Sequence, residues 1–114
     1  MTLNSVLSCL STLKKLGSAK TTKERKAILC KCDKKVFYSI CEICKNVLEK
    51  NIPITERRVK NLSRYKKYIR LLARKSAVPL KTKRKIILQK GGFLPNLLIP
   101  TTTILAKLLV DNIK

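Results

Sequence analysis

Apolar residues recur at spacings of three and four along most of the chain, whereas the alternation typical of β-strands is scarce. One such stripe covers residues 3–16, and Gly17 is predicted to end this first helix. A wider stripe covers residues 36–48, inside the segment KKVFYSICEICKNVLEK. The pattern predicts an all-α fold, in which residues 1–90 form a basic domain made of a small bundle of four to five short helices.

Helix-capping residues mark where several of these helices begin. Thr21 and Glu24 have the spacing of a capping box, and Asp33 is in position to cap the next helix. Thr55 is predicted to cap a long basic helix over residues 56–75. The predicted inner side of that helix consists of Val59, Leu62, Ile69, Leu72 and Ala73. A further short helix is expected to begin near Pro79 and to stop at Gly91, since proline suits a first turn and glycine an end.

Positive charge dominates the polar positions. The chain has 114 residues with 27 Lys and Arg against 6 Asp and Glu and no His, a net charge of +21. Residues 56–90 hold 14 of the basic residues and one acidic residue, so the i,i+4 ion pairs that would stabilise a merely solvated face are missing. We therefore expect this surface to bind an anion. The predicted phosphate-binding residues are Arg57, Arg58, Lys60, Arg64, Lys66, Lys67, Arg70, Arg74, Lys75, Lys81, Lys83, Arg84 and Lys85.

Nucleic acid is the polyanion most consistent with this charge, ahead of an anionic membrane surface. Aromatic residues make up 4% of the chain and Trp is absent, so stacking platforms for single strands are not expected. The helix over residues 56–75 carries cations around too much of its circumference to single out a base-reading face. We expect double-stranded DNA to be bound through its phosphates, whatever its base sequence.

Four of the five cysteines form the pattern C-x-C, eight residues, C-x₂-C, with Cys30, Cys32, Cys41 and Cys44. Four thiolates can hold zinc, so a zinc-stabilised interaction module is one alternative. Cys41 and Cys44, however, lie on an apolar helical stripe, where cysteine behaves as a small buried hydrophobe. Core packing is therefore favoured over zinc and over redox pairing, and no cofactor is expected. The chain also has no catalytic triad, phosphate-binding loop or dinucleotide motif, so an enzyme is not predicted.

Residues 91–114 differ from the rest because they are mostly apolar. Gly91 and Gly92 are interpreted as a helix C-cap and a flexible hinge that leads into an apolar C-terminal tail. Prolines and polar residues interrupt this tail too often for a spanning helix, but an amphipathic helix is predicted after Pro100. Docking to a capsid protein, another core protein or a second copy is the favoured role of the tail. Insertion into a membrane, by a membrane-active protein, is the second.

The segment KGGFLPNLLIP, residues 90–100, closely resembles part of the adenovirus core peptide precursor family, known as protein X or mu. In that family, a basic DNA-condensing region is followed by two glycines, an aliphatic residue, Leu-Pro and then LLIP. The region from ERKAIL through LKTKRKIILQKGGFLP is similar to small basic proteins encoded by Polinton/Maverick elements and adintoviruses.

This resemblance implies a virion core protein that helps to package double-stranded DNA in the host nucleus. It also implies maturation by a viral cysteine protease that cuts after Gly91-Gly92, before Phe93. One position departs from the family pattern. The adenoviral protease favours Met, Ile or Leu four residues before the cut, where this chain has Gln89.

Overall fold

The computed structural model of the protein describes residue 6, residues 8–74 and residues 79–113, with side chains as far as residue 107. These residues form α-helices joined by short connections and contain no β-strand, so the all-α prediction is confirmed. The helices are α1 (Leu10–Ser18), α2 (Thr22–Cys30), α3 (Lys34–Leu48), α4 (Glu56–Ser63), α5 (Lys66–Ala73), α6 (Leu80–Lys90) and α7 (Leu94–Ile113). A single 3-10 turn, Gly91–Phe93, joins α6 to α7.

The three predicted helix caps are confirmed. The side chains of Thr21, Asp33 and Thr55 each accept a hydrogen bond from a backbone N–H two or three residues further on, at 3.1, 3.1 and 3.4 Å. Each bond satisfies a donor that the first turn of a helix cannot satisfy itself. Helices α2, α3 and α4 therefore begin directly after the capping residues that the sequence indicates.

Helices α3 and α7 build most of the core. Helix α3 contacts α5, α6 and α7, and its Phe37, Ile40 and Cys44 side chains are at most 1% exposed. Helix α7 packs against α1, α3 and α4. The whole molecule measures 40 × 31 × 31 Å.

Residues 93–105, which follow Gly92, belong to this core and are not a flexible tail. Phe93, Leu94, Leu97 and Leu98 have no exposed surface. Complete burial of such side chains stabilises a fold by about 1.5–3 kcal/mol each. The expected hinge at Gly91 and Gly92 is instead a 3-10 turn, and residues on both sides of it pack into one core.

The C-terminal helix also begins earlier than predicted, at Leu94, and it continues through Pro100. Proline lacks the N–H that a helix interior requires. The three threonines that follow it turn their hydroxyl groups back into the helix: Thr101, Thr102 and Thr103 donate to the carbonyl oxygens four residues before them, each at 2.8 Å. Because of these bonds, two of the threonines can be buried without an unpaired hydroxyl.

The long basic helix predicted over residues 56–75 is divided into α4 and α5. The break occurs at Arg64 and Tyr65, where the Tyr65 N–H donates to the carbonyl of Leu62 at 2.9 Å, one residue closer than in an α-helix. Beyond the break the packing partner changes, since α4 packs on α7 and α5 packs on α3 and α6. The tyrosine ring at the break lies against Phe93, with 5.6 Å between ring centroids.

Helix α1 ends at Ser18, one residue after the predicted stop at Gly17. A Cβ atom at position 17 would lie 3.3 Å from the Cβ of Leu98 and 3.5 Å from the backbone nitrogen of Ile99. Glycine therefore eases the close approach of α1 and α7, because a side chain here would displace Leu98 by a few tenths of an ångström.

Candidate nucleic-acid interface

Most of the predicted phosphate-binding side chains are on the surface of helices α4, α5 and α6. The exposed ones are Arg57, Lys60, Arg64, Lys66, Lys67, Arg70, Arg74, Lys81, Arg84 and Lys85. The single carboxylate of this region, Glu56, lies in the first turn of α4. These cations are thus accessible to a ligand, and only one carboxylate of the same region can neutralise their charge.

Helix α5 and its C-cap carry a group of cations around a depression, which we call the basic hollow. Lys66, Lys67, Arg70 and Arg74, together with the aliphatic Leu71, line a depression of about 390 Å³. Lys66 and Arg70 are spaced by four residues on one side of the helix, where like charges repel each other, and Arg74 follows at its C-cap. An anion held between them would remove this repulsion, so the basic hollow is suited to a phosphate group.

Two contacts with aromatic rings hold α6 beside its neighbours. The guanidinium carbon of Arg84 lies 5.1 Å from the ring centroid of Phe37 in α3. The Lys90 Nζ lies 5.9 Å from the ring centroid of Tyr68 in α5. Such contacts stabilise a structure by about 0.5–1 kcal/mol at exposed sites. They help to keep the cations of α6 at a constant position relative to those of α5.

Lys83 is not part of this surface, which corrects one predicted site residue. Its side chain is only 6% exposed, and its ammonium group donates to the carbonyl oxygen of Arg74 at the end of α5. The last carbonyl groups of a helix have no partner within it, so a buried ammonium donor there acts as a C-terminal cap. Lys83 therefore caps the end of α5 and is not available to phosphate.

Arg58 is also partly engaged within the fold, because its Nη1 donates to the Oδ1 of Asn96 in α7 at 3.4 Å. Lys75, another predicted site residue, lies outside the described residues.

Further exposed cations, outside the predicted set on α4 to α6, lie in the first half of the chain. Residues 1–55 contain eleven Lys and Arg, and exposed ones occur on each of α1, α2 and α3. Examples are Lys14, Lys23, Lys26, Lys34 and Lys35. The feature of the sequence that indicates these additional cations is the high Lys and Arg content of the whole chain. Cations therefore cover several sides of the molecule.

The four cysteines of the zinc alternative are not brought together. Cys41 and Cys44 are buried, while Cys30 is exposed at the end of α2. Within the described residues, no three His, Cys, Asp or Glu side chains are grouped in a way that could hold a metal ion. Burial raises the pKa of the Cys41 thiol to about 11 and raises that of Cys44 well above its usual value. Both thiols thus stay protonated at neutral pH, as expected for packing residues.

The predicted cleavage site lies in a packed turn. Gly91 and Phe93 are buried, and Gly92, between them, is exposed. A protease must bind several residues around the bond that it cuts, so local opening of the turn would have to precede cleavage. Cleavage between Gly92 and Phe93 stays a prediction, and the structure adds this condition to it.

Comparison of the chain with protein-family models, with curated proteins and with solved structures found no match. Among the described residues, no helix is both long enough and apolar enough to cross a lipid bilayer. The site is therefore interpreted from its own geometry and charge.

Proposed function

We propose that the protein binds double-stranded DNA through its phosphates, independently of base sequence, and condenses it. The observation that carries this proposal is the set of exposed cations on α4, α5 and α6, with one carboxylate among them. A charged surface of this kind costs stability until a polyanion covers it. The phosphate backbone of DNA is a continuous polyanion that fits an extended set of cations.

The dimensions of the protein support condensation as well as binding. Duplex DNA carries about one negative charge per 1.7 Å, so a duplex as long as the 40 Å axis of the protein carries roughly 24 charges. The net charge of +21 would neutralise most of them. Since cations also occur on α1, α2 and α3, one molecule can contact more than one duplex. Neutralised and bridged duplexes can then pack side by side.

The biological setting follows from the resemblance of residues 90–100 to the adenoviral core peptide precursors. That resemblance implies a virion core protein of a Polinton/Maverick element or an adintovirus, acting in the virion and in the host nucleus. Complete burial of Phe93, Leu94, Leu97 and Leu98 gives the membrane-active alternative less support, because these four apolar side chains of the tail are part of the core. Capsid docking through the same residues has less support for the same reason.

A binding assay with duplexes of unrelated sequence tests the proposal. We expect similar affinities for all duplexes, a fall of about 10³- to 10⁵-fold between 50 and 200 mM salt, and loss of binding near 0.5 M salt. Light scattering should show that the DNA collapses at near charge equivalence. Tight binding that survives 0.5 M salt, or that is confined to one sequence, would contradict the proposal.

A pair of double variants tests the role of the basic hollow. Lys67→Gln with Arg74→Gln removes two of its charges, while Lys14→Gln with Lys15→Gln removes two exposed charges from α1. The slope of log affinity against log salt concentration reports the number of phosphate contacts. The first pair of substitutions should lower its magnitude by about two, and the second pair by clearly less. Equal effects would mean that net charge alone governs binding and that α5 has no special part.

A further inference from the structure

Two apolar side chains that the helical periodicity assigns to the core are exposed in the structure. Leu48, at the end of α3, is 42% exposed, and Val59, on α4, is 53% exposed. A single exposed apolar residue is common on protein surfaces and needs no explanation. These two, however, line the same depression. The depression, of about 610 Å³, lies between the end of α3, the connection to α4, and helices α4 and α5. We call it the apolar groove.

The floor and walls of the apolar groove are aliphatic. Besides Leu48 and Val59, they include Val47, Ile52, Ile54 and Leu62. Leu62 is buried in the core, while Ile52 and Ile54 are partly buried, so the groove is continuous with the packed interior. These aliphatic side chains offer no donors to a phosphate group, so this part of the groove is not suited to DNA.

The rim of the apolar groove is cationic. Lys50, Lys66 and Arg70 line it, and no Asp or Glu is found among the described residues that do so. Lys50 is held at the rim by the backbone: its φ is 61°, and its N–H donates to the carbonyl of Val47 at 3.1 Å, in the turn that closes α3. Lysine is an unfavourable residue for this left-handed position, where glycine is usual.

We propose that the apolar groove binds an amphipathic helix of a partner protein, whose apolar side chains enter the groove and whose flanking residues are acidic. Amphipathic helices commonly bind in this way, with anchors spaced three and four residues apart. Charge complementarity selects the acidic partner, because the rim carries three cations. A second copy of this chain is disfavoured, because each copy carries a net charge of +21. The partner is thus distinct from the DNA that the proposed function requires.

The groove and the basic hollow share two residues, Lys66 and Arg70. A variant at either position would change both DNA binding and partner binding. The test therefore uses positions that line the groove alone. Val59 is the best choice, because its side chain is more than half exposed and its replacement removes little core packing.

The probe is a fluorescein-labelled synthetic peptide of about 20 residues, with Leu at helical spacing and Glu elsewhere. A control peptide has the same composition in a scrambled order without an apolar face. Fluorescence anisotropy with the full chain near 0.15 M salt should show at least about tenfold tighter binding of the amphipathic peptide. The scrambled peptide measures the attraction that any acidic peptide has for this protein.

Val59→Glu should reduce the affinity for the amphipathic peptide to about that for the scrambled one. Tyr38→Glu is the matched control: it adds the same charge at an aromatic residue that is 45% exposed and does not line the groove, and it should keep the preference. Leu48→Gln is a second, uncharged groove variant that should weaken binding in the same direction. Circular dichroism verifies that each variant is folded.

Equal affinities for the two peptides would overturn this proposal, and so would an equal loss in Tyr38→Glu and Val59→Glu. Val59→Glu places a carboxylate on α4, within the proposed DNA-binding surface, so it should also weaken DNA binding. Leu48→Gln keeps the net charge and lies on α3, so it should leave the affinity for duplex DNA unchanged. Failure of the groove proposal would thus leave DNA binding intact, whereas failure of the proposed function would show in the wild-type protein.

Discussion

Replacement of Phe93 by alanine tests whether the segment after Gly92 is a structural part of the domain. Phe93 has no exposed surface, and its ring lies against Tyr65 at a centroid distance of 5.6 Å and an interplanar angle of 51°. The sequence alone placed it at the start of a flexible tail. In that case its removal would change the stability of residues 1–90 very little.

The structure predicts a large effect. Loss of the buried ring costs about 1.5–3 kcal/mol in transfer free energy, and loss of an aromatic pair about 0.5–1.5 kcal/mol. With the cavity that remains, Phe→Ala changes in cores typically cost about 3–5 kcal/mol. The total stability of a domain is about 5–15 kcal/mol, so this substitution would remove a large part of it. The melting temperature should fall by roughly 12–20 °C, at about 4 °C per kcal/mol for a chain of this size.

Urea unfolding followed by circular dichroism measures this loss, in DNA-free protein and at one fixed salt concentration, because any bound polyanion would stabilise the folded state. Tyr38→Ala is the matched control, since that ring is 45% exposed. It should cost no more than about 1 kcal/mol. The same small effect for Phe93→Ala and Tyr38→Ala would refute this prediction, because the segment would then behave as a tail.

Three further substitutions test single features of the fold. Lys50→Gly should be more stable than Lys50→Ala by about 1 kcal/mol, because both remove the charge but only glycine relieves the positive φ of 61°; equal stabilities in urea would contradict this. Gly92→Ala should destabilise by about 1–3 kcal/mol, because its Cβ would lie 2.7 Å from the Tyr65 hydroxyl oxygen. In a Tyr65→Phe background most of that cost should disappear, and an unchanged cost would show that the hydroxyl is not the obstacle. Lys83→Met should cost about 1–3 kcal/mol in a thermal melt because it leaves a carbonyl group at the end of α5 unpaired. Lys81→Met, at an exposed position, should stay within about 0.5 kcal/mol, and equal losses would argue against the capping role of Lys83.

The basic surface was largely predictable, and the exceptions have clear causes. Lysines and arginines are exposed by default because burial of a charge is costly, so their type alone indicated the surface. Lys83 departs from this rule because α5 ends beside it and presents a carbonyl group to it. The apolar groove was not predictable, since periodicity marks Val59 as an inner residue, whereas α4 turns that position away from the core.

The sequence by itself determined the helical class of the chain, the beginnings of several helices and the sign of the surface charge. These features depend on neighbours within about four residues, as with the caps Thr21, Asp33 and Thr55, or on composition alone. The tertiary structure decided the rest: the packed C-terminal segment and the close approach of Gly17 to Leu98. Burial depends on residues that are distant in the chain and meet only after folding, and no local pattern specifies which apolar stripe will contact which.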